Sequence, residues 1–158
     1  MISKTEISKK IQKRTWYGIK ATVIIGPSLF HTSGLGIFLI PHPSVVNWLL
    51  RQKMAESDRQ TLTLVHEYKH LQSVPFILVY TLFFFALASV AGHVGLTEII
   101  ILAVSSQATW EIVSEILTIN NDIQFYHNSY AKVTIIPRIV FWFAICALAT
   151  TGWLIVLL

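Results

Sequence analysis

Apolar and polar positions divide the chain into long hydrophobic stretches separated by short polar breaks. Trp16 to Ile40 is apolar but interrupted. Gly26-Pro27 falls near its middle, Ser28, His31, Thr32, Ser33, Gly34 and Gly36 follow, and Pro41-His42-Pro43 closes it. Proline has no N–H to give a helix, so the pattern predicts a broken membrane segment over 16–40, kinked or re-entrant. Residues 41–60 mix apolar positions with Arg51, Lys53, Glu56, Asp58 and Arg59, as an interfacial helix or loop does. A helix over 61–91 meets no Gly or Pro before Pro75, bends there, and continues through an apolar, aromatic portion suited to crossing a bilayer. Gly92-His93-Val94-Gly95 forms a tight turn, and Thr97 with Glu98 opens a second membrane helix over 97–119. A polar connection, Asn120 to Lys132, precedes a last span over 133–158. The expected fold is an all-α integral membrane helical bundle, a single domain over 1–158. It has three clear transmembrane helices plus one broken or re-entrant segment.

Composition strengthens the membrane reading. Of 158 residues, 54% are hydrophobic and 13% charged, and soluble domains carry about 25% charged residues. The net charge of +4 would suggest nucleic acid in a soluble chain. Here the basic residues sit beside membrane segments, so membrane lipid is the expected partner and nucleic acid is not. Residues 1–15, with Lys4, Lys9, Lys10, Lys13 and Arg14, read as a retained basic N-terminal arm in the cytoplasm. All twelve Lys and Arg fall in residues 4–20, 51–69 and 132–138. If 16–40 re-enters rather than crosses, they share one face, and the positive-inside rule then sets the N-terminus and the chemistry described next near the cytoplasmic face. Cys146 is the single cysteine, so no disulfide framework forms and a small buried hydrophobe is the expected role.

Within the 61–91 helix stands His66-Glu67-Tyr68-Lys69-His70, a His-Glu-x-x-His sequence. Residues four apart lie about 40° apart around a helix, so His66 and His70 share a face and can fill two corners of a tetrahedral zinc site. Glu67 can take a proton from a water held there. In the next helix Gln107, Glu111, Ser114, Glu115, Thr118 and Asp122 follow one helical face. A carboxylate near the bilayer centre costs on the order of 2.5–3.5 kcal/mol, so two on one face require compensation. A divalent cation on His66 and His70 would supply it. The bland alternative is a pair of glutamates facing a water-filled groove or a partner subunit, or one of them protonated.

His66-Glu67-x-x-His70 followed by Glu111-Ile-Val-Ser-Glu115 resembles the gluzincin metallopeptidases, whose downstream motif is Glu-x-x-Ser/Ala-Asp. In its membrane setting it resembles the CAAX-prenyl-protease type. The resemblance covers about fifteen residues around the motifs. It implies zinc, one ion per chain, held by His66, His70 and Glu111, with Glu67 as general base. Glu115 occupies the family's Asp position, which implies a carboxylate orienting a ligand histidine; its longer side chain leaves ligation by Glu115 itself open. A straight-helix ruler from the 92–96 turn sets Glu115, rather than Glu111, level with the histidines. The substrate implied is a peptide or membrane protein, hydrolysed by a zinc-activated water.

Tyr68, Tyr126, His127 and His31 are available to steady an oxyanion, His31 standing beside the break; His42 and His93 read as loop or interface histidines. Two other functions fit these residues. One is a metal-binding or inactive accessory subunit among other membrane subunits. The other is a di-iron carboxylate oxidase, which wants a second Glu-x-x-His that the chain lacks.

Overall fold

The computed structural model describes residues 9–25, 30–43, 45–51, 53–93, 95–131 and 133–157. Four strands come first among the described residues: β1 (Lys9–Arg14), β2 (Lys20–Ile25), β3 (Phe30–Leu35) and β4 (Phe38–Pro43). They form one antiparallel sheet in the order β1-β2-β3-β4. Five helices follow: α1 (Val45–Leu50), α2 (Glu56–Val90), α3 (Leu96–Asn121), α4 (Ile123–Tyr130) and α5 (Ile135–Leu157).

The all-α expectation is therefore corrected. The segment 16–40 contributes strands, not a broken membrane helix, and the part of the basic arm that is described, from Lys9 to Arg14, is β1. The Gly26-Pro27 break itself lies outside the described residues. Apolar content made this stretch look like a span, but Thr22-Val23-Ile24-Ile25 is β-branched throughout and suits a pleated strand. Gly36, at φ 63°, takes the first of two turn positions between Leu35 and Phe38, the glycine site of a type II′ hairpin turn. Pro41 and Pro43 pair with Thr32 and Phe30. Lacking N–H groups, they must occupy the non-hydrogen-bonded positions of the ladder, which strips two donors from the outer edge of β4 and discourages further strand addition.

Among the described residues three helices, α2, α3 and α5, are long and apolar enough to cross a membrane, at 35, 26 and 23 residues. They run up, down and up. The expected interfacial stretch 41–60 becomes the end of β4, α1 and the first turn of α2, and the polar connection contains α4, capped by Asp122 accepting from the Phe125 amide at 2.9 Å.

The sheet lies against the first half of α2, where Ala21, Val23 and Ile25 pack on Leu64 and Leu71. Pro75 sits inside α2 and cannot donate to the Leu71 carbonyl. The Tyr17 hydroxyl donates there instead, and Trp16 Nε1 donates to the Gln72 carbonyl at 2.9 Å. The helix thus passes Pro75 with its freed Leu71 carbonyl answered by the β1–β2 turn. At the other end Phe84, Ala88 and Leu102 form a separate apolar cluster. There Gly152 of α5 comes so close that a Cβ would stand 2.5 Å from a Phe84 ring carbon. Cys146, expected to be buried, is instead exposed on α5.

Candidate metal centre

α2 presents His66, Glu67 and His70, all buried, toward α3 and the sheet. The His66 and His70 Nε2 atoms are 3.0 Å apart, and each lies 3.3 Å from Glu111 Oε2. One atom from each of the three residues thus converges on a single point. A tetrahedral ion with bonds of about 2.0–2.1 Å separates its ligands by about 3.3 Å, the spacing seen here. The tautomer fits as well. His66 Nδ1 is 2.7 Å from Glu115 Oε2, and a carboxylate at that nitrogen favours the tautomer with its proton on Nδ1 and the Nε2 lone pair toward the cluster. Electron-rich atoms this close repel unless a positive charge lies among them. A proton would bridge two of them; a tetrahedral cation would be shared by all three.

The ring of His70 is steadied from α3. Trp110 meets it edge-on, with centroids 5.0 Å apart, and its Nε1 donates to Ser73 Oγ at 2.9 Å and the His70 carbonyl at 3.2 Å. Glu67 stands beside His31 of β3, its Oε1 3.0 Å from His31 Nε2. His66, Glu67, His70 and Glu111 all line one cavity of about 470 Å³, whose opposite wall includes Leu35, Phe38 and Ile40.

Behind His66 lies a second buried layer. Arg51 Nη2 donates to both oxygens of Glu115 at 3.2 and 2.9 Å, and its Nε donates to the Tyr130 hydroxyl at 2.9 Å. The Tyr126 hydroxyl donates to Glu115 Oε1 at 2.6 Å. Burial alone would push the Arg51 guanidinium down, yet the adjacent Glu115 charge and Tyr130 hold it above its ordinary value. Burial first, then the Glu115 charge, pushes the Tyr126 phenol up.

His66, Glu67, His70, Glu111 and Glu115 are thus gathered as one group. Glu111 faces both Nε2 atoms, whereas Glu115 sits at the far ring nitrogen of His66, contrary to the straight-helix ruler. Of the other candidates, His31 joins the group through Glu67 and Tyr126 through Glu115. The Tyr68 hydroxyl turns away to the Arg14 carbonyl at 3.2 Å, and His127 is exposed. The side chain of His42 lies outside the described residues. Arg51 and Trp110 were not singled out by sequence reading. For Trp110 the signal was its adjacency to Glu111; for Arg51 it was a charge directly after the apolar Trp48-Leu49-Leu50.

No protein-family model, no curated protein and no solved structure matches this chain.

Proposed function

We propose that this chain is a membrane-embedded, zinc-dependent metallopeptidase with its site near the cytoplasmic face. The observation that carries the reading is the triangle of His66 Nε2, His70 Nε2 and Glu111 Oε2, with sides of 3.0, 3.3 and 3.3 Å, opening on the cavity that Glu67 lines. Charge balance supports it. With the histidines neutral, Glu67, Glu111 and Glu115 share one cluster with a single arginine, Arg51, which pairs with Glu115, an excess of two negative charges that a divalent cation would offset.

His66, His70 and Glu111 would hold the ion. Zinc held there would supply a Lewis acid, able to make water acidic near neutral pH and to polarise a carbonyl. Glu67, held by His31, takes the proton from the attacking water and returns it to the leaving amine. Glu115 keeps the His66 proton on Nδ1, and Trp110 holds the His70 ring. The apolar cavity wall limits competing water around the scissile bond. Gathering of the basic residues at the end opposite the 92–96 turn supports a cytoplasmic N-terminus.

The test uses the full chain purified in detergent. About one zinc per chain is expected, His66→Ala and His70→Ala should each release it, and Glu67→Gln should keep zinc while losing hydrolysis of a membrane-associated peptide. Undiminished hydrolysis by Glu67→Gln removes the mechanism, and two irons per chain would favour the oxidase. A second reading, a metal-holding accessory subunit, draws on Pro41 and Pro43, which leave the cavity-lining edge of β4 poor in donors for a substrate strand. Zinc without hydrolysis, together with copurifying membrane subunits, would favour it.

A further inference from the structure

The two hairpin tips of the sheet lie at the same end of it. The Gly36 amide donates to the Lys20 carbonyl at 2.8 Å, which sets the β3–β4 turn beside the start of β2 and so beside the β1–β2 turn. Both tips are apolar and exposed: Trp16 and Ile19 on one, and Ile37, Phe38, Leu39 and Ile40 on the other, with Ile37 at 89% exposure. Trp16 and Tyr17 bond to carbonyls of Gln72 and Leu71, which fixes the tips at that level of α2.

That level is where α2 lacks a lipid-facing surface. Its exposed apolar belt runs from Phe76 to Val90, about 21 Å at 1.5 Å per residue, against a hydrocarbon core of about 30 Å. The corresponding stretch from Leu96 to Ile116 of α3 measures about 30 Å, and α5 measures about 33 Å. With Val90 at one boundary, the other falls about six residues before Phe76, at His70 and Leu71. There the surface of α2 is covered by the sheet, and what the sheet offers to the outside is its two apolar tips. Lys13, Arg14 and Lys20 flank them and Lys69 lies near Lys13, a basic rim at headgroup depth.

We infer that the tips of the β1–β2 and β3–β4 hairpins insert into the lipid bilayer, completing the apolar belt that α2 leaves short. Phe38 and Ile40 belong both to the tip and to the cavity wall. The candidate metal centre therefore opens at the membrane surface, where a bilayer-resident chain can reach it. Insertion depends on the membrane reading alone and not on the metal, so the two stand or fall separately.

The test places a single environment-sensitive fluorophore on the full chain in vesicles of mixed zwitterionic and anionic lipid. In a Cys146→Ser background, Ile37→Cys is compared with Phe83→Cys on the exposed belt of α2 and Lys53→Cys beyond it. The Ile37 label should emit at shorter wavelength than the Lys53 label. It should be quenched several-fold more by a lipid-borne nitroxide near the glycerol, and resist iodide. Iodide quenching equal to that at Lys53 would overturn the inference. Protection from both quenchers would also overturn it, because a second copy or another protein would then cover the tip. The Phe83 label verifies reconstitution in the same vesicles.

Discussion

Arg51 and Glu115, 64 residues apart, form a buried ion pair at 2.9 Å directly behind His66. The pair ties the loop before α2 to α3, and the same carboxylate meets His66 Nδ1 at 2.7 Å. One side chain thus belongs both to the fold and to the candidate site, and variants along this line separate the two roles.

Arg51 is fully buried, so Arg51→Met strands the Glu115 charge. Breaking such a pair costs about 3–5 kcal/mol. Thermal unfolding in detergent, followed by circular dichroism, should show that loss. Arg51→Met combined with Glu115→Gln should recover part of it, because no lone charge remains.

The double variant then serves as the background for metal binding. With the Glu115 charge gone, His66 Nδ1 loses the carboxylate 2.7 Å from it, and zinc affinity should fall about 10–100-fold, as for other partners that orient a ligand histidine. Competition with a chromophoric chelator measures it. Unchanged affinity would confine Glu115 to a structural part.

Gly152→Val tests the packing at the far end of the bundle. A Cβ at 152 meets Phe84 Cε1 at 2.5 Å and Ser105 Oγ at 2.7 Å, and that Oγ donates to the Ala149 carbonyl at 2.6 Å. Overpacking of this kind costs about 1–3 kcal/mol. The unfolding temperature should drop while zinc content, set at the opposite end of α2, stays at the wild-type level.

Alkaline pH should weaken the fold through Tyr126. Its phenol is pushed up by burial and by Glu115, so the folded chain keeps that proton at a pH where the unfolded chain, near the ordinary value of about 10, has released it. The unfolded state then binds fewer protons, and stability falls as pH rises past about 10. Tyr126→Phe should flatten this part of the stability–pH profile, read from unfolding midpoints on either side of that pH.

Much of the candidate site was legible because it is local. His66 and His70 share a face by helical period, and so do Glu111 and Glu115, whatever lies around them. The mutual approach of the two faces was argued from the cost of carboxylates in lipid, and the structure brings them to 3.3 Å. Between Glu111 and Glu115 the motif resemblance favours Glu111 and the ruler favours Glu115; one turn of helix separates them, and the ruler assumes straight, level helices. Arg51 was read as interfacial because its neighbours are charged; its burial comes from Glu115, Tyr126 and Tyr130, all more than sixty residues away.

The order of amino acids determined by itself the three apolar helices and the residue types on each face, because period and transfer from water act within a segment. Tertiary structure alone decided that residues 20–25, 30–35 and 38–43 form strands. An apolar run such as Ala21 to Ile25 satisfies its backbone equally in a helix or in a ladder, and only the partner strands and the face of α2 beneath them settle which. It likewise decided that Glu115 turns to Arg51 and His66 while Glu111 meets both imidazoles, since those contacts join atoms that no local pattern brings together.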